Sequence, residues 1–253
     1  QCHDHKYDPI SQKDYYQLFG FFNSSKELGF EGDVSVSQPA KQPVMAVTNE
    51  EVKSILNFIN KKDTGSVMVS VMGEMDTIRK TYILNRGVYD QQGDIVRPAA
   101  FKSVLDFDTA QFQRNRLGLA QWTVSNDNPL TARAFVNQLW EDFFGRGIVK
   151  TTGDFGMQGN LPSHPALLDW LAADFMESGW DIKKLIKKIV LSATYRQSSL
   201  ISKKQLATDP ENIYLSRSSR SRVKAEFIRD IILGSSGLLN NEIGGPSVKP
   251  YQP

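Results

Sequence analysis

The stretch "NPLTARAFVNQLWEDFFG", residues 128–145, decides how the chain is read. Asn128 is a residue whose side chain caps a helix start. Pro129 behind it fits the first helical position, where a missing N–H costs nothing. Gly145 supplies a stop. Between them, Arg133, Asn137 and Glu141 recur every four residues on a helix whose other faces are apolar and aromatic. Helical patterns continue in both directions. Upstream, "NRLGLAQWTVS" ends at the turn "NDNP". Downstream, "SHPALLDWLAADFME" turns Leu167, Leu168, Leu171 and Phe175 inward. "DIKKLIKKIVLSAT" then puts Ile182, Leu185, Ile186, Ile189 and Val190 on one face and four lysines on the other. A last helix, about 222–238, is expected to insert Val223, Phe227, Ile228, Ile231 and Ile232.

The first half is less regular. "SQKDYYQLFGFFN" carries Tyr15, Leu18, Phe19 and Phe22 at helical spacing, with Ser11 and Asp14 as a start signal. "GFEGDVSVSQPAKQP" reads as linker. Another helix is expected where Thr48 and Glu51 have capping-box spacing, with Val52, Ile55, Leu56 and Ile59 buried. "SVMVSVM", "KTYILNRG" and, after the turn "DQQGD", "IVRP" lean to strand and predict a small hairpin or meander. The fold class is therefore α+β, mainly α: a helical C-terminal domain with a small β element in the middle.

A formal charge of +2 gives no electrostatic case for nucleic-acid binding. No apolar run reaches the roughly 18–20 residues of a transmembrane helix. A single cysteine excludes an internal disulfide. The ends, "QCHDHK" and "VKPYQP", read as those of an internal piece of a longer protein.

Several residues are candidates for chemistry. Cys2-His3 matches the second half of a C-x-x-C-H haem attachment site, whose first cysteine would precede Gln1 by two residues. Cys2, His3, His5 and Asp8 alternatively offer the donors of a zinc or other transition-metal site, although four ligands in seven residues make a cramped tetrahedron. The bland alternative is an exposed terminus. In "TTGDFGMQGNLPSHP", the "DFG" lacks every other kinase element and is coincidental. Its glycines suit a tight loop, its Asp154 and His164 could line a pocket, and His164 equally suits capping or packing. Arg133, Asn137 and Glu141, and likewise Glu226, Arg229 and Asp230, read either as surface pairs or as a polar cluster between helices, structural or in a cleft. No nucleophile triad, P-loop or dinucleotide fingerprint is present.

The runs from "RLGLAQWTVSNDNPL" to "LSATYRQSS", "DPENIYLSRSSRSRVKAEFIRDIILGSSGLL" and "GGPSVKPYQP" closely resemble the planctomycete cytochrome-associated family of unknown function called PSD-one, or DUF 1553. The resemblance covers about residue 115 to the end. "CHDHKYDPISQKDYYQLFGFF" resembles the end of its partner domain, PSCyt-two or DUF 1549, and "TYILNRGVYDQQGDIVRP" the segment joining the two. The resemblance implies three regions: a cytochrome-like tail at 1–30, a linker with one helix and a β element at 31–112, and the helical domain from 113. It also implies Cys2 as a haem-linking cysteine and His3 as axial iron ligand of haem c in a longer parent, with no haem retained by this stretch alone. It further implies a periplasmic or extracellular setting, a redox partner or upstream cytochrome module, and a polysaccharide partner. The expected function is electron transfer or oxidation linked to polysaccharide use. The alternatives are a non-catalytic glycan- or protein-binding helical domain, and a carbohydrate hydrolase using Asp154, Glu226 or Asp230 as carboxylates.

Overall fold

The computed structural model describes residues 2–26, 43–47, 50, 67–220 and 222–241. Two compact units emerge: residues 1–23 with 80–222, and residues 24–79 with 223–253. Among the described residues, seven α-helices and three two-stranded antiparallel sheets make a mainly helical α+β fold. The expected helix around Val52–Ile59 and most of the linker lie outside the described residues.

In the first unit, α1 (Gln12–Gly20) starts as its sequence predicts, with Ser11 and Asp14 forming a reciprocal capping box. Its buried face differs from the expected stripe. Tyr16, Gly20 and the adjoining Phe21 are buried, whereas Tyr15, Phe19 and Phe22 are exposed. The reason lies in the neighbour. A hairpin of strands Thr81–Leu84 and Gln92–Val96 lies against α1, and the Gln12 side-chain amide donates to the Leu84 carbonyl. At Gly20 a β-carbon would stand only 3.3 Å from Pro98 Cγ, so the absent side chain sets how closely the chain beyond the hairpin approaches.

The helical part of this unit contains α2 (Arg116–Thr123), α3 (Thr131–Phe144), α4 (Pro165–Glu177), α5 (Ile182–Leu191) and α6 (Lys203–Thr208). Asn128 caps as its sequence predicts: its Oδ1 accepts from the N–H groups of Leu130 and Thr131 at 3.0 and 3.2 Å. Gly145 ends α3 at φ 74°, a left-handed conformation that glycine adopts without steric cost. α3 and α4 pack together around Val136, Trp140, Phe144, Leu168, Leu171 and Phe175, and Leu185 and Ile189 of α5 join that core. Rings of Trp140 and Phe144 stack at 4.1 Å, and Tyr195 meets Phe144 edge-on. Ile182, expected inward, is exposed at the first turn of α5. A smaller cluster of Ala100, Phe112 and Trp122 backs α2.

In the second unit, strand Val44–Val47 pairs with Val67–Ser70, and Ser25–Lys26 with Gly73–Glu74. The middle of the chain is therefore not a single meander, because the "SVMVSVM" run pairs with "VMAV" and not with the hairpin strands. α7 (Ala225–Ser235) also belongs here. Val223, Phe227, Ile228, Ile231 and Ile232, expected to be inserted in a core, are all exposed. Their spacing defines which residues share a face, but not what that face meets.

Candidate functional site

The site is built from a buried amide and two loops. Asn137, on α3, is fully buried; its Nδ2 donates to the Val149 carbonyl at 3.0 Å and its Oδ1 accepts from the Val149 N–H at 2.8 Å. One side chain thus satisfies both backbone groups of a buried residue that no strand partners. The clamp holds the turn 145–149 against the helix. A β-carbon on Gly147 would lie 2.5 Å from the Val149 oxygen and 2.7 Å from Asn137 Nδ2, so only glycine fits beneath it.

The second loop spans 209–217. The buried Asp209 carboxylate accepts from the N–H groups of Ile213 and Tyr214, each at 2.8 Å. Arg217 closes the loop by donating to the carbonyls of Asp209 and Pro210 at 3.0 and 2.9 Å. Asn212 and Leu215 take positive φ, near 53° and 52°, so these hydrogen bonds hold the backbone in a conformation that most L-residues avoid.

Between the two loops lies a cavity of about 320 Å³. Its lining includes Trp140 and Phe144, Ser163, His164, Ser199 and Ser219, and the charged residues Arg146, Glu211, Arg217 and Arg220. Arg146 and Lys150 both bind Glu211 Oε2, Lys150 at 3.4 Å. The hydrogen bond from Lys150, then the charges of Lys150 and Arg146, hold the Glu211 carboxyl below its ordinary range. Among the described residues, Arg220 has no hydrogen-bond or ion-pair partner, and the hydroxyls of Ser199 and Ser219 have none. The cavity can therefore offer a guanidinium and two hydroxyls to a guest.

Of the residues singled out by sequence, only His164 lines this cavity, with its Nδ1 3.0 Å from Ser163 Oγ. It stands at the N-cap position of α4, where its carbonyl accepts from the Leu168 N–H, but its side chain makes no cap hydrogen bond. Arg133 is engaged by Asp169 at 2.7 Å and by the Pro129 carbonyl at 2.6 Å, tying α3 to α4. Asn137 is the clamp, and Glu141 supplies the carbonyl that receives the Gly145 N–H. Asp154 shapes its own loop by accepting from the Gly156 N–H at 2.8 Å. Glu226, Arg229 and Asp230 belong to the other unit, exposed on α7 and without partners among the described residues. Among the described residues, Glu211 is the only carboxylate lining the cavity. Sequence reasoning missed Arg146, Glu211, Arg217 and Arg220. The signal available was the "RSSR" run at 217–220 after a loop rich in turn residues.

The opening residues make local and loop contacts. The Asp8 N–H donates to His5 Nδ1 at 3.0 Å, and one Asp8 oxygen faces the same nitrogen at 3.1 Å. The other Asp8 oxygen accepts the Met157 N–H at 2.7 Å, docking the first loop onto the "GDFGMQG" loop. Asp4 accepts from the Gln12 N–H at 2.6 Å, at the start of α1. Haem c binding by this chain is accordingly corrected. Cys2 is the only cysteine, no disulfide is present, and no group of three or more His, Cys, Asp or Glu side chains among the described residues could hold a metal. Residues 2–7 are exposed, whereas a covalently held porphyrin needs a second thioether and an apolar crevice. His3 Nδ1 lies 2.6 Å from the Asp4 carbonyl, and His5 Nδ1 accepts from the Asp8 N–H.

A helical domain with a polar cavity between two braced loops, joined to a short N-terminal segment, is the class of protein that this geometry defines. Residues 115–253 match the family model described as a protein of unknown function, DUF1553 (PSD1), and residues 1–27 match that of a second such family, DUF1549 (PSCyt2). The chain belongs to the DUF1553 family. No curated protein and no solved structure matches it. No helix among the described residues is long and apolar enough to cross a membrane.

Proposed function

We propose that the helical domain is a non-catalytic binding module that takes a small saccharide unit in the cavity between the 145–149 turn and the 209–217 loop. The observation that carries this reading is the combination of lining groups: the rings of Trp140 and Phe144 share the lining with the hydroxyls of Ser199 and Ser219 and the guanidinium of Arg220, which have no partner among the described residues. A sugar presents both C–H faces and a dense set of hydroxyls, and the volume falls at the lower end of the roughly 300–1,000 Å³ typical of small-molecule sites. Among the described residues the lining holds one carboxylate, already bound by two cations, and not the pair that a glycosidase needs. A polysaccharide partner and a setting outside the cytoplasm belong to the same proposal and rest on the family resemblance. The test is calorimetric titration of the full chain with mono- and disaccharides. Saturable binding, weakened by Trp140→Phe or Ser219→Ala with folding intact, is expected. No heat of binding with any sugar at millimolar concentration would refute the reading.

A further inference from the structure

The cavity concentrates charge. Among the described residues, Arg146, Arg217 and Arg220 line it against a single carboxylate, Glu211, leaving two net positive charges in one small volume. The formal net charge of the whole 253-residue chain is no larger, at +2. These three arginines are committed to different degrees. Arg217 donates to two backbone carbonyls, so its charge is fixed in place by the loop that it braces. Arg220 is unpartnered among the described residues. Arg146 is occupied by Glu211, whose carboxylate is also within reach of Lys150 at 3.4 Å, and Lys150 stands outside the cavity lining.

This arrangement suits exchange. The Glu211 side chain is half exposed, and an ion pair in contact with water is worth little net, so parting it costs little. If Glu211 leaves Arg146, Lys150 still offers it a cation. Arg220 is an exposed residue of the cavity lining, so an anionic guest can pair with its guanidinium, whereas a neutral guest would leave that charge to water.

We infer that the cavity recognises an oxyanion carried by its ligand, a carboxylate or a sulfate or phosphate ester, anchored by Arg220, and that this oxyanion displaces Glu211 from Arg146 to Lys150. The inference deepens the saccharide reading and rests on it for the nature of the ligand's neutral part. Glu211 is thus an internal stand-in for the ligand's anion.

The experiment is titration of the full chain, and of its Arg220→Ala and Glu211→Gln variants, with glucose, glucuronate, glucose 6-sulfate, glucose 6-phosphate and inorganic sulfate at low and at physiological salt. Circular-dichroism melts check that each variant folds as wild type does. Anionic sugars are expected to bind more tightly than glucose and to weaken with salt. Arg220→Ala should lose about tenfold to a hundredfold for them, as befits a hydrogen bond to a charged group. Glu211→Gln should gain several-fold, because the internal competitor is gone. The ranking of glucuronate, sulfate and phosphate esters identifies the oxyanion. Glucose binding as tightly as glucuronate, with Arg220→Ala unchanged, would overturn the oxyanion site and leave the saccharide reading intact. Weaker glucuronate binding in Glu211→Gln would overturn the displacement. Inorganic sulfate binding that depends on Arg220, with no sugar bound, would support the oxyanion site and overturn the saccharide reading. No binding by any probe would overturn both.

Discussion

Replacing Asn137 by alanine tests the central claim about how the site is held. The side chain is fully buried and gives Val149, itself buried, both of its backbone hydrogen bonds, at 3.0 and 2.8 Å. Truncation strands one N–H and one C=O away from water. Each stranded group costs about 1–3 kcal/mol, so the pair costs roughly 2–6, and the void left by the amide adds to it. Against a total stability of about 5–15 kcal/mol this is a large fraction. For a chain of this size, a loss of about 4 kcal/mol lowers the melting temperature by roughly 8–16 °C. Asn137→Asp keeps the shape but turns the donor into a second acceptor facing the Val149 carbonyl, and it should be no milder at neutral pH. The assay is thermal unfolding followed by tryptophan fluorescence, since Trp140 lies one turn further along the same helix. A shift below 2 °C in both variants would refute the clamp.

Gly118→Ala would place a β-carbon 1.9 Å from the Gln113 carbonyl oxygen, which forces backbone to move at the start of α2; the melting temperature should fall by several degrees in the same assay. Gly156→Ala would push a β-carbon to 2.3 Å from Asp8 Oδ1, and Asp8→Ala would remove the acceptor of the Met157 N–H. Both should speed amide exchange at residues 154–160, measured by mass spectrometry, and equal protection in either variant would contradict the contact. Glu211→Gln reports the rim ion pair through its pH dependence. The folded carboxyl is held below its ordinary value of 4.5, so its contribution is present above that value and disappears as the pH falls through the lowered one. The stability difference between wild type and variant should therefore vanish on acidification and shrink with added salt; a difference that grows in acid would reverse the assignment.

The legible parts of the sequence are those fixed by neighbours along the chain. Caps at Ser11 and Asn128, the proline at the head of α4 and the glycine ending α3 act over one turn, so a local string contains them. The α1 face was misread because tertiary contact with the hairpin chose Tyr16 and Gly20 over the more apolar Tyr15 and Phe19 stripe. For Asn137 the stripe left a surface pair and a structural polar cluster both open, since nothing within four residues shows that its partner is Val149, twelve positions on. The rim arginines were missed for a related reason. Arg146 and Glu211 are 65 residues apart, and only the folded chain brings them to one cavity. For the opening residues, resemblance supplied a haem ligand, whereas the contacts of His5 and Asp8, which join the first loop to residue 157, depend on a loop far along the chain.

The contact between Asp8 and the Met157 amide bears on where this protein can be divided. One family model ends at residue 27 and the other begins at residue 115, which invites expression of the second stretch alone. Yet residues 1–23 and 80–222 form one compact unit, and the first loop seats its carboxylate over the glycine at 156. A cut at residue 115 would remove α1, the hairpin and the cap on that loop together, leaving an amide and an apolar flank bare to solvent. The boundary drawn between two families runs through the interior of a single structural unit.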